Sequence, residues 1–504
     1  MASLNPFLGP NSGDRPWVDQ ISKTLQTQLR IIIDTPPVSI FEIPKTLKAE
    51  KLEAYTPQCI GLGPNHHFKS ELYQKMEQNK LTAMKRVLRP HQIHDCQQQV
   101  VEKVREIVPI ICASYDLFLD ADDYTLAWLF AIDGLFLLHQ LDAYFDHRFA
   151  IDEARDLIML ENQIPLIVLK EIHKALWAEN AHAQEDDIES KFRFFCESHS
   201  PFLFSKEKIN FIGVNHLLDY MYHSIVNNKT LSISRKVNFT NPRSGPYEND
   251  AKLELLEAVN KFAGLIPGAK PFLQIIEFIK KNLSDCTHEN TFVEEIKVPS
   301  VSELCNIAGV KFRLSPRNGG IRNINFVQEK EWFCYLPLIT LNTDSEVVLR
   351  NLVAYEQLMA KNSFVSVYGL ELTEYVDFLC GIIDTVKDVR LLRDEKIIEG
   401  DLGDDEVVEL FNGIGRSHGK MSVESELGKI VTQINMVYES MPRVCVQRLA
   451  EKQLRVSAKI ITFLISIWSI LILIREVYSR VYGSNPPHMM LVHFLQTKLS
   501  HFLH

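Results

Sequence analysis

Apolar side chains recur every three or four residues along most of the chain. Trp17, Ile21, Leu25, Leu29 and Ile32 predict an amphipathic first helix, which Pro36 and Pro37 end. The same spacing predicts helices near 70–89, 95–118, 123–146, 152–179, 251–264, 271–283, 345–361, 370–399, 404–416 and 423–455. Pro165 falls inside the 152–179 pattern, in DLIMLENQIPLIVL, and predicts a kink there. Residues 39–63 lack a period and read as an irregular segment with short extended pieces. Residues 227–250 are polar with Pro and Gly and read as an internal loop. Ser300 and Glu303 match a capping box, with Gly309 as the stop. VKFRL (310–314), IRNINFV (321–327) and WFCYLPLITL (332–341) then predict three short strands in one antiparallel meander.

The last apolar run has a different character. Residues 460–474, IITFLISIWSILILI, carry no charge on any face, with Lys459 and Arg475 at the ends. The run covers about 22 Å as a helix, and the apolar flanks extend it over 456–482 to roughly 40 Å. Lys459 and Arg475 can snorkel, and Tyr478 and Tyr482 suit a membrane interface. A buried core helix is the competing reading; the absence of a polar face favours a transmembrane helix. The expected fold is therefore mainly α: a large helical body with a small antiparallel β meander, plus a C-terminal transmembrane helix. Its parts are a flexible N-terminus (1–16), a single helical body (17–455, with loop 227–250 and sheet 310–341), the transmembrane helix (456–482) and a short tail (483–504).

Composition sharpens this picture. The chain has 504 residues, 46% hydrophobic and 23% charged, which is ordinary for a globular protein. The mean hydropathy of -0.06 excludes a multi-pass membrane protein. A net charge of -10 argues against a nucleic-acid partner. The charge is uneven. Residues 443–504 hold eight basic side chains against Glu451 and Glu476, a net +6, so residues 1–442 carry -16 of the total -10. A basic, apolar tail behind an acidic body points to contact with an anionic membrane surface. Five basic residues precede the span and two follow it, which places the body on the cytoplasmic side. The N-terminus has no signal-peptide pattern, and nine widely spaced cysteines without a CxxC read as thiols in a reducing compartment. The sequons at Asn228, Asn238 and Asn282 are then expected to carry no glycan.

Candidate chemistry is sparse. His91, His94, Asp95 and Cys96 lie in HQIHDC, where i, i+3 spacing offers two metal ligands but no third. His66 and His67 are adjacent and point apart. Asp133, beside Gly134 in AWLFAIDGLFLLHQL, is a carboxylate in an apolar helix. It is either a raised-pKa acid or a paired structural group. Glu161, Asn162 and Gln163 precede Pro165 and either satisfy exposed backbone or bind a ligand. The acidic run Asp401–Glu406 fits a helix N-terminus better than a calcium loop. No GxSxG, Walker, HExxH, kinase or GxGxxG signature occurs, so no catalytic residue, cofactor or metal site is expected.

Several stretches nonetheless stand in a specific order: IFEIPKTL (40–47), EAYTPQCIGLGPNHH (53–67), FAIDGLFLL (130–138), ARDLIMLENQIPLIVL (154–169), NHLLDYMY (215–222), VPSVSELCNIAGVKFR (298–313) and LPLITLNTDSEVVLRNLVAYEQ (336–357). In these the chain resembles the plant-specific proteins grouped under domain of unknown function 247, also called UPF0481 proteins. The resemblance covers nearly the whole chain and implies a single C-terminal membrane helix. It brings no catalytic residues with it. Members implicated in grass self-incompatibility point, by analogy, to recognition. The expected function is that of an uncharacterised, membrane-tethered plant protein serving interaction or recognition without catalysis. The alternative is a membrane-associated enzyme with a site near Asp133 or Glu161. The expected partners are the lipid bilayer, through the C-terminal helix, and a protein of unknown identity. The expected location is a membrane, the plasma membrane being favoured.

Overall fold

The computed structural model describes residues 38–67, 74–117, 119, 121–146, 154–176, 184–204, 211–226, 298–316, 320–362, 370–414, 425–446, 469, 472, 473 and 476. The expected first helix, the 227–250 loop, the helices near 251–264 and 271–283, the three sequons and the tail 483–504 lie outside them. The chain divides into two compact units, residues 1–238 with 292–437 and residues 239–291 with 438–504. In the second unit the described part is small: residues 438–446, where Cys445 N–H donates to Met441 O (3.0 Å), and Ser469, Ile472, Leu473 and Glu476.

The first unit is organised by the helix Asp123–Phe145. Asp122 caps it, its carboxylate accepting from Tyr124 N (2.9 Å), Thr125 N (3.0 Å) and Thr125 Oγ1 (2.7 Å). The helix is apolar on nearly every side because helices cover nearly every side: Gln74–Val87, Glu102–Glu106, Leu166–Leu176 and Gln184–His199 all pack on it. Gly134 lets Leu166–Leu176 approach closely. A Cβ there would sit 2.5 Å from Ile172 Cδ1 and 3.1 Å from Val168 Cγ1. Asp133 and Gly134 do not break the helix; the first is a polar contact and the second a seat for a neighbour.

Further along, Leu217–Val226 is almost wholly buried, and Ser345–Asn362 packs on Glu371–Ile382. The capping box at Ser300 and Glu303 forms as the sequence predicts, and Gly309 leaves the helix Val301–Ile307 at φ +65°. Strands β1 (Lys311–Leu314), β2 (Asn325–Gln328) and β3 (Trp332–Leu336) follow. A second sheet pairs β4 (Ile339–Leu341) with β5 (Ile398–Gly400) in parallel.

The structure corrects the sequence reading in four places. The first sheet is mixed, in the order β1-β3-β2, with β1 parallel and β2 antiparallel to β3. Phe326 stacks on Trp332 across the β2–β3 pair (centroids 5.0 Å apart, planes 9° apart), and β3 is the central strand. The meander fails because β1 lies on the far side of β3. The predicted 370–399 helix is two helices, Glu371–Ile382 and Val386–Asp394, and a strand. Lys396, at φ +56°, turns the chain after the second helix, and a three-residue strand is too short to show a period of two. The 152–179 helix begins only at Leu166, after Pro165; LENQ lies in 3-10 turns, since its side chains bond elsewhere. Finally, the C-terminal transmembrane helix is not found. Among the described residues, Asp123–Phe145 is the helix long and apolar enough to cross a bilayer, and it is mostly buried core. Of 456–482, only Ser469, Ile472, Leu473 and Glu476 are described; the rest lies outside. Fifteen uncharged residues give about 22 Å of helix, against the ~30 Å of hydrocarbon a span must cross.

Gly400 marks the tightest backbone contact. It sits at φ +113°, and a Cβ there would lie 2.0 Å from Leu341 O and 2.7 Å from Leu341 N. Gly400→Ala is expected to cost about 2–4 kcal/mol in chemical denaturation, by strain and loss of the β4–β5 pairing. A loss below about 0.5 kcal/mol would mean that the two strands do not meet this closely.

Candidate functional site

Residues 38–63 run over the core as a strap with little regular structure, a short helix Lys45–Glu50 and a turn Leu52–Ala54. Yet Ile40, Phe41, Ile43, Tyr55, Ile60 and Leu62 are buried. A buried irregular backbone must find hydrogen-bond partners. At its start it finds them in main chain, Ser39 N and Ile40 N both donating to Ser114 O (3.0 and 2.9 Å); further along it finds them in side chains. Glu161 Oε1 accepts from Ile43 N (2.6 Å), and its Oε2 accepts from Lys48 Nζ (2.8 Å). Asp156 Oδ2 accepts from three successive amides, Gln58 (3.0 Å), Cys59 (2.8 Å) and Ile60 (3.0 Å). Asn162 accepts from Leu62 N (2.6 Å) and donates to Ile60 O (2.7 Å). Asn351 donates to Ala54 O (2.8 Å) and accepts from Leu160 N (2.9 Å), tying the strap and the LENQ turn to the helix Ser345–Asn362.

Asp133 completes the row. Its Oδ2 accepts from Gly63 N (2.7 Å), and its Oδ1 pairs with Lys80 Nζ (2.6 Å), both side chains being under 3% exposed. Burial is the largest influence on each group. It pushes the Asp133 carboxyl above the ordinary carboxylate range, against the pull of Lys80 and Gly63 N–H. It pushes Lys80 down, but Asp133 and Glu77 more than offset this and hold the ammonium above its ordinary value. Glu77 lies 3.1 Å from Lys80 Nζ and 3.5 Å from His67 Nδ1, so the cluster reaches the surface there.

A second cluster joins the strap to two helices. His216 precedes Leu217–Val226, and its Nδ1 accepts from Asp219 N (3.2 Å). The other nitrogen therefore carries the proton and donates to Ser39 O (3.0 Å). Asp219 accepts from Asn215 N (2.7 Å), Asn215 Nδ2 (3.0 Å) and Tyr355 OH (2.7 Å), with His223 Nε2 at 3.1 Å. Burial would raise its carboxyl, but His223, His216 and Asn215 outweigh it and hold Asp219 at about 2. Glu356 accepts from Tyr222 OH (2.9 Å), Leu372 N (3.0 Å), Thr373 N (2.6 Å) and Thr373 Oγ1 (2.6 Å). It thereby caps a helix, Glu371–Ile382, whose own N-cap residue Leu370 has no acceptor.

The residues flagged in the sequence divide sharply. Asp133, Glu161, Asn162 and Gln163 come together under the strap; Gln163 accepts from Leu218 N (3.0 Å) and donates to Leu157 O and Met159 O (2.8 Å each). His91, His94 and Asp95 are exposed, while Cys96 is buried. No group of three or more His, Cys, Asp or Glu among the described residues is arranged to hold a metal ion. Asp404, Asp405 and Glu406 occupy the first turn of Asp404–Gly413, and Arg390 and Arg393 pair with Asp404 at 3.1 and 3.0 Å. Asp156, Lys80, Asp219 and Glu356 went unflagged. Asp219 carries the same signal as Asp133, a single carboxylate in an apolar run; Asp156, close behind Asp152, Glu153 and Arg155, carries no such signal.

Most of these anchors lie in a few short stretches, LENQ, VLRNLVAYEQ and HLLDYMY, spread along a strap-bearing chain. Residues 40–472 match the family model described as plant protein of unknown function, DUF247. The chain belongs to that family. A putative UPF0481 protein of Arabidopsis thaliana is 28% identical over 518 residues, covering 93% of this chain and 95% of that protein. A second UPF0481 protein of the same plant is 24% identical over 395 residues, covering 75% of this chain and 72% of its own length. No solved structure matches. The DUF247 match opens at Ile40, a buried residue of the strap.

Two expectations follow for this DUF247 chain. Asp156→Ala leaves three amide donors without their acceptor and should cost about 3 kcal/mol or more in urea unfolding; a cost under 1 kcal/mol would place the strap elsewhere. The Glu77 contact raises the His67 ring above 6.5, and His67 in turn lowers Glu77 to about 2. The His67 contribution is complete below pH 6.5 and fades as pH rises through its raised value; that of Glu77 is complete above 4.5 and fades as pH falls toward 2. The pair thus supports the fold best between about pH 4.5 and 6.5. Glu77→Gln should move the His67 titration downward in proton NMR, and an unmoved titration would dissolve the pair.

Proposed function

We propose that this chain is a protein-interaction or recognition module with no catalysis of its own. The observation that carries the reading is how Asp133 and Glu161 are used. They are the two acids on which an enzyme reading rests, and both spend their oxygens inside the fold: Asp133 on Gly63 N–H of the strap and on Lys80 of the helix Gln74–Val87, Glu161 on Ile43 N–H and Lys48 of the strap. A general acid or base needs an oxygen that can reach a substrate proton. These oxygens serve two backbone amides and two lysine side chains within the fold, which is a scaffold's use of a carboxylate.

Thermal unfolding separates the two readings. Residues held ready for chemistry are commonly kept at the expense of stability, so removing their charge leaves stability unchanged or raises it. Anchors behave oppositely. Glu161→Gln and Asp133→Asn should each lower Tm by several degrees, corresponding to about 1–3 kcal/mol for a disturbed buried hydrogen bond. Variants as stable as the parent, or more so, would favour an enzyme with its site at these acids.

A further inference from the structure

His216 sits where the strap, a helix start and an ionised acid meet. Its ring is fully buried. It is the residue before the helix Leu217–Val226, and through Nδ1 it supplies the acceptor for the third amide of that helix, Asp219 N (3.2 Å). Through Nε2–H it holds Ser39 O (3.0 Å), the first buried residue of the strap. The ring can do both only while neutral, with its proton on Nε2. A second proton would occupy Nδ1, the lone pair that now accepts. Two donors, Nδ1–H and Asp219 N–H, would then face each other 3.2 Å apart. The new charge would also lie at a helix N-terminus, where a cation is unfavourable.

The charged and titratable groups around the ring can be named from each element. Its own helix brings Asp219, Tyr222 and His223; the helix Ser345–Asn362 brings Tyr355, with its ring centroid 5.3 Å from that of His216, and Glu356. The strap brings the Ser39 carbonyl. Asp219 is the acid that could stabilise a charged His216, but Asn215, Tyr355 and His223 already occupy it.

We propose that His216 is a pH-sensitive latch: neutral, it adds a tie between the start of the strap and the core; protonated, it must turn out of its site, releasing both the helix cap and the Ser39 carbonyl and leaving the strap's start to the main-chain bonds of Ser39 and Ile40 with Ser114 and Asp116. The proposal does not depend on the interaction reading above. Burial, the largest influence, lowers the ring's pKa below 6.5, as the geometry requires. The sign follows. A base whose folded pKa lies below its unfolded value gives support that is complete above pH 6.5 and is lost as pH falls below it. His223 works the other way: burial would lower it, but its bond to Asp219 holds it above 6.5, so acid strengthens that pair. Loosening confined to the strap in mild acid therefore cannot come from His223.

The test compares hydrogen exchange of the full chain at pH 7.5 and 5.5, corrected for intrinsic rates, with His216→Gln as partner. Glutamine can accept and donate at the same two places but does not titrate. Below pH 6.5, peptides spanning 38–47 of the parent chain should lose protection by up to about tenfold per pH unit, relative to the helix Asp123–Phe145. In His216→Gln they should keep it. No acid-dependent loss in the parent, or an equal loss in the variant, overturns the latch. If the variant does not fold, the imidazole NMR of the parent decides: a neutral Nε2–H ring at pH 6 supports the latch, and a doubly protonated ring with the strap still protected refutes it.

Discussion

A buried side-chain oxygen accepting a main-chain N–H that has no main-chain partner is the interaction on which this fold depends. Residues 38–63 contribute at least six buried apolar side chains to the core, and several of their amides, those of Ile43, Ile60, Leu62 and Gly63 among them, lie outside any helix or strand. Placing such a segment inside a protein costs about 1–3 kcal/mol for each amide left unpaired. Asp133, Asp156, Glu161 and Asn162 remove that cost, and they do so from one side of the strap.

The same device recurs away from the strap. Glu356, on one helix, caps the start of Glu371–Ile382. Asp388 accepts from Thr385 N (2.8 Å) and Thr385 Oγ1 (2.7 Å) at the start of its own helix, and from Ser302 N (2.6 Å) in the first turn of Val301–Ile307. In each case one acid fixes two segments distant in sequence, and a helix end becomes a packing contact. Helices joined this way are set by hydrogen-bond geometry as well as by apolar contact, which makes their positions specific. The device also explains why isolated acids in apolar runs need not be catalytic.

How much of this could be read in the sequence depended on the range of the interactions. Local signals were legible. Asp123–Phe145 and Ser345–Asn362 lie within a residue of their predicted bounds, because their apolar periods are long and uninterrupted. The capping box at Ser300 and the helix start at Asp404 were legible because cap and capped amide are three residues apart. Gly134 is a seat for Ile172, a role that no local pattern carries. The polar triplet before Pro165 was read as satisfying backbone, which it does, but the backbone of Leu62 lies 100 residues away. No sequence period carries a partner at that distance. The position of β1 beside β3 was hidden for the same reason. The apolar C-terminal run misled because an all-round apolar pattern marks burial in lipid and in protein alike, and Asp123–Phe145 shows the second case.

The most direct measurement is site-resolved amide hydrogen exchange at neutral pH for Ile43, Gln58, Cys59, Ile60, Leu62 and Gly63. Each of these amides lies outside the helices and strands and donates to a side-chain oxygen. If those oxygens hold the strap, the buried members, Ile43, Ile60, Leu62 and Gly63, exchange as slowly as the interior of Asp123–Phe145, by opening with the core. Exchange at the rate of an open loop would contradict it, and the strap would then be a surface segment resting on a core that does not need it.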